Sequence, residues 1–98
     1  MASYVELHTL ASNSTLRNRV AVACVIAAND IRTEDAGTAK HTERLAWAKA
    51  VYASPVTEAS RILWSVLAQN ASASVATIEA APDATVQTAV DNAIVAFL

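Results

Sequence analysis

The chain has 98 residues, 54% of them apolar and 16% charged, with a net charge of −2, one glycine and 23 alanines. That length fits one domain with a modest core, and the apolar content excludes a disordered chain, which is poor in such residues. A single glycine excludes a hairpin-rich β fold, because tight turns need residues at positive φ, and the near-balanced charge supplies no general attraction to nucleic acid or anionic lipid.

What remains is an all-α domain: a compact bundle of about five to six helices with one long central helix. A first helix is predicted from about Ala2 to Leu10, where Ser3 and Glu6 have capping-box spacing and Tyr4, Val5, His8 and Leu10 give a short apolar stripe. Ser14 then serves as the cap of a long helix from about Thr15 to Thr33. Leu16, Val20, Ala23, Ala27 and Ile31 recur on it at helical spacing. Val22, Val25 and Ile26 widen its apolar surface beyond one stripe, as expected of a helix that is central or covered by a neighbouring subunit. Glu34 to Thr38 reads as a loop, with Gly37 as its position of free φ.

A third helix is expected from about Ala39 to Ala53, with Leu45, Ala48, Val51 and Tyr52 as its apolar face and Trp47 beside it. Ser54-Pro55 marks a boundary, since Ser caps well and Pro suits the first helical position. The helix that follows runs from Pro55 to about Gln69 and buries Val56, Ala59, Leu63, Val66 and Leu67, while Glu58 and Arg61 pair weakly at its surface. Residues 70–74 are a small-residue linker to a short helix from Val75 to Ala80. Asp83 is expected to cap the last helix, Ala84 to about Phe97, whose face is Val86, Val90, Ile94 and Phe97.

The sequence is poor in chemistry. Cys24, the lone cysteine, allows no internal disulfide and no cysteine-based zinc site, and its apolar neighbours mark a buried thiol. His8 and His41 lie on different helices without a metal-ligand pattern. One glycine cannot build a nucleophile elbow or a phosphate loop. Glu34 and Asp35 are adjacent acids, but acid–base work needs a walled pocket. No catalytic residue, metal ligand or cofactor is therefore expected. A helix-turn-helix reader needs a basic recognition helix, and residues 55–69 offer only Arg61 against Glu58.

The apolar run 20–28 is too short to span a bilayer. The opening residues Met1 to Glu6 have neither a basic start nor an apolar signal core, so a cytoplasmic site of synthesis and residence is expected. All seven basic residues fall between Arg17 and Arg61, and residues 62–98 carry only Glu79, Asp83 and Asp91. A polar docking face on the middle helices is one reading of that distribution, and ordinary solvated helix faces are the other and the commoner one. Trp47 and Trp64 are large enough to serve as core or as interface anchors. Trp64 follows Leu63 and so points away from the centre of its stripe, which makes it the better interface candidate. The apolar ending Ile94 to Leu98 packs into its own domain or is covered by a partner.

Three stretches carry a family resemblance: residues 16–23 (LRNRVAVA), residues 43–49 (ERLAWAK) and residues 75–91 with the turn-and-cap DATVQT. On them the chain resembles small all-helical structural proteins of tailed bacteriophages. The resemblance implies a non-enzymatic virion component, made in the host bacterial cytoplasm, and first a head–tail connector of the adaptor or neck kind that forms a ring beneath the portal. A capsid decoration subunit or a baseplate part is the next expectation. A small intracellular regulator of antitoxin type is the competing class. The partners implied are further copies of the chain and portal, tail or capsid proteins, with no membrane and no sequence-specific nucleic acid. A ring subunit buries surface on two sides, so Trp64, Val95, Phe97 and Leu98 are the candidate interface residues.

Overall fold

The computed structural model describes residues 14–69 and 80–98, with the side chains of residues 63–69 left aside. Among these residues the chain is all-helical: α1 (Ser14–Thr33), α2 (His41–Ala53), α3 (Pro55–Gln69) and α4 (Asp83–Phe97). The helix expected over Ala2–Leu10 and nearly all of that expected over Val75–Ala80 lie outside the described residues. Ala80 itself is in a turn.

The 20-residue α1 packs against each of the other three helices. Every residue of its predicted track, Leu16, Val20, Ala23, Ala27 and Ile31, is buried. Much of the core is alanine: Ala21, Ala23, Ala27 and Ala28 from α1 meet Ala48, Ala59, Ala89 and Ala93 from the others. Small side chains let helix axes approach closely, and these eight buried alanines bring the backbones of the four helices together. Trp47, Ile31 and Ile62 supply the bulk that fills the remaining space.

Two polar ties set the direction of α4. Arg19 on α1 binds Asp83 at 3.0 Å and also donates to the Ala81 carbonyl. One turn further along both helices, Gln87 Nε2 donates to the Ala23 carbonyl at 3.1 Å. Both contacts advance by four residues on each helix, so α4 runs parallel to α1. The α2–α3 corner supplies part of the crossover that a parallel pair requires.

Several local expectations are corrected. Gly37 has no positive φ; the residue in the left-handed region is Lys40, at φ 58°. The loop turns because the Asp35 carboxylate accepts from the Gly37 amide at 2.8 Å and the Asp35 carbonyl from the Thr38 amide at 2.9 Å. The resulting turn carries the chain past Ala39 and delays α2 to His41. Asp83 is the first residue of α4, and the cap position falls to Pro82, which has no side-chain acceptor; the Asp83 carboxylate is turned to Arg19. The Ser54 hydroxyl goes to the Thr57 hydroxyl at 2.7 Å, not to a backbone amide.

Side-chain faces also differ. Trp47 is in the core, whereas Tyr52 is exposed, its hydroxyl donating to Asn29 and its ring under Arg32. Val56 is exposed, and Ile62 takes a core position beside Ala59. Glu58, expected at the surface, is only 6% exposed and meets Arg61 at 2.9 Å.

Candidate assembly surfaces

The polar clusters in the described part tie the fold together. Glu34 follows the last turn of α1, where the helix dipole disfavours an acid. It is held there by α2: Arg44 donates Nε to Oε1 at 3.1 Å and Nη2 to Oε2 at 3.0 Å, and His41 Nδ1 lies 3.0 Å from Oε1. The hydrogen bonds from Arg44 and then His41 lower the Glu34 carboxyl below its ordinary range. Asp35, the adjacent acid, turns away to the Gly37 amide. The two carboxylates thus do not converge on one site.

Cys24 is fully buried on α1. Desolvation, with a smaller contribution from the Glu58 charge, pushes its thiol up to about 12. A thiol held protonated and out of solvent is a poor nucleophile near neutral pH. Among the described residues no group of three or more His, Cys, Asp or Glu side chains is placed to hold a metal ion. Among them, too, no helix is long and apolar enough to cross a membrane.

The candidate interface residues near the chain's end are not all in one place. Val95 is 72% exposed and borders a recess of about 230 Å³ formed with Ala27, Ile31, Asp30 and Arg44. Phe97 is 45% exposed and lies under the Arg61 guanidinium, 5.3 Å from the ring centre. Two residues apart on a helix are about 200° apart in direction, so Val95 and Phe97 present apolar surface on opposite sides of α4. Leu98 is half-buried against the core, and its carbonyl accepts from Lys40. The Trp64 side chain lies outside the described residues; its backbone is in α3.

A further apolar surface lies on α1. Val22 is 60% exposed and Ile26 47%. They stand between two depressions, one of about 390 Å³ toward Ala84, Val86 and Gln87 of α4 and one of about 280 Å³ toward Pro55. The sequence signal for this ridge was the excess width of the apolar surface of α1. It did not show which part of that width the neighbouring helices would leave uncovered.

Comparison of the chain with protein-family models, with characterised proteins and with solved structures returns no match.

Proposed function

We propose that this chain is a non-enzymatic structural subunit that works by packing against neighbours. Following the resemblance carried by residues 16–23, 43–49 and 75–91, its place is in the particle of a tailed bacteriophage, as a ring component of the head–tail connector. The observation that carries the reading is the pair Val95 and Phe97, exposed apolar side chains on opposite sides of one helix end. A subunit in a closed ring uses two different surfaces, one toward each neighbour, and a helix end with apolar groups on both sides supplies them. A single exposed apolar side chain is ordinary on a folded surface; the support for the reading is that two of them face opposite ways at one helix end. The buried, high-pKa Cys24 and the self-satisfied Glu34–His41–Arg44 cluster support a role in which side chains pack and do not react.

Quantitative mass spectrometry of purified virions tests the reading. A copy number matching one ring per particle is expected. A copy number matching the whole capsid lattice would transfer the chain to the decoration class, and its absence from particles would remove the virion reading.

A further inference from the structure

The two sides of the α4 end differ in chemistry as well as in direction. On one side Val95 walls the recess of about 230 Å³. The floor of the recess is apolar, made by the buried Ala27, Ile31 and Ile94. A cavity of about 150 Å³ is enough to hold benzene, so the recess has room for one aromatic ring. Asp30 and Asp91 stand on its rim, both exposed. Neither is in an ion pair among the described residues, and the Asp91 carboxylate accepts from the neutral Gln87 amide at 3.1 Å. Arg44, also on the rim, is forked onto Glu34. The rim is therefore net acidic.

The other side carries an aromatic ring with a cation over it, Phe97 under Arg61. Glu58 binds Arg61 through Nη1 alone, at 2.9 and 3.1 Å. The Nε and Nη2 edges keep three of the five guanidinium N–H groups for a further acceptor. The Arg61 side chain is 54% exposed and that of Glu58 8%, so the cation is what this side shows to solvent. Lys40, at the same end of the molecule, is held at the Leu98 carbonyl.

We propose that these two sides are knob and socket for successive copies of this chain, the Phe97 ring of one entering the Val95 recess of the next. Arg61 then comes over Asp30 and Asp91 and offers them its free edges. The inference rests on the reading of Val95 and Phe97 as contact surfaces and names what each of them meets. Charge selects this pairing over the symmetric ones. The Val95 side set against itself opposes acid to acid, and the Phe97 side against itself opposes Arg61 to Arg61; like charges across a contact disfavour both. Position along the helix agrees. Residues 95 and 97 differ by only about 3 Å in height, so a copy displaced sideways, with its α4 beside the first, brings knob to socket. Such a contact leaves a knob free at one end and a socket at the other, and it repeats until a ring closes.

Mixing of two full-length variants, followed by sedimentation velocity, tests the proposal. Val95→Glu disables the socket and keeps the knob; Phe97→Glu disables the knob and keeps the socket. The parent is expected to associate beyond the dimer as concentration rises, and each variant alone to stay monomeric. Their mixture should form a 1:1 dimer and stop there, with one good contact and no way to extend it. Reversing the rim with Asp30→Lys and Asp91→Lys together should weaken parent association about tenfold or more, and added salt should weaken it as well. Thermal melts check the folds, and Phe97→Ser replaces Phe97→Glu if the glutamate lowers the melt. A parent that stays monomeric, a variant that still oligomerises alone, a mixture that forms no dimer, or indifference to the reversed rim would each overturn the pairing. None of these bears on whether the chain is found in virions, which the copy number in particles decides separately.

Discussion

Cys24 and Lys40 each show a backbone or burial effect that outweighs residue type. Cys24 has no exposed surface, and the ionised thiolate would have to exist among apolar side chains with Glu58 nearby. The native chain should therefore resist thiol reagents near neutral pH and react fully once unfolded in urea, as a colorimetric thiol assay would read. Linkage gives the alkaline limb. The folded pKa, about 12, lies above the ordinary 9.0. The stability due to this group is complete below 9, where both states are protonated. It falls as pH rises from there toward 12, where only the unfolded chain ionises. A Cys24→Ala chain should lack this part of the alkaline loss. Lys40 is a side-chain-bearing residue in the left-handed region, which costs about 1 kcal/mol relative to glycine. Lys40 also donates to the Leu98 carbonyl. Both Lys40→Gly and Lys40→Ala lose that bond, but only glycine relieves the backbone. The glycine variant should be more stable than the alanine variant by about 1 kcal/mol in urea unfolding. If the two are equal, the left-handed conformation carries no cost.

At the scale of elements, α1 and α2 are joined by the fork of Arg44 and by His41 around Glu34. Because the Glu34 carboxyl is lowered below its ordinary value near 4.5, its contribution to stability is present above that value and is lost as pH falls through the lowered one. Glu34→Gln should therefore lower the urea midpoint near neutral pH, and the gap to the parent should close in acid. A gap that persists unchanged at low pH would show that the carboxylate charge is not what joins the helices. The sequence disclosed the helices better than their faces. The Leu16–Ile31 track is apolar at each step, and Pro55 can only begin a helix, so α1 and α3 were legible in extent. In α2, aromatic residues at both 47 and 52 suit either of two rotations. The one adopted buries Trp47, and Tyr52 finds Asn29 and Arg32 at the surface. Glu58 was read as exposed because acids usually are, and its burial depends on how α3 lies on α1. Lys40 in place of Gly37 carried no signal, since Asp35 turns the loop by hydrogen bonding alone.

At the scale of the molecule, the alanine-rich core must be separated from the apolar surface left uncovered, and the end of α4 is where the two meet. Ile94 is buried, Val95 is mostly exposed, and Leu98 returns to the core with its amide donating to the Ile94 carbonyl at 3.0 Å. The segment 95–98 is thus partly a lid on the core and partly free surface, and its whole deletion mixes the two roles. Single substitutions separate them. Ile94→Ala removes buried methylenes and should cost about 2–5 kcal/mol, a large share of the roughly 5–15 kcal/mol by which a domain is stable. Val95→Glu is largely in solvent in the isolated chain, beside Asp30, Asp91 and Arg44, and should stay within about 1 kcal/mol of the parent. If Val95 is a contact between subunits, the same glutamate should stop assembly while leaving the urea midpoint of the monomer in place, because a charge would then be buried without a partner. Urea unfolding and particle incorporation, measured on the same Val95→Glu chain, read the two effects separately. A chain that assembles normally with glutamate at 95 would restrict the contact surface to the Phe97 side of α4.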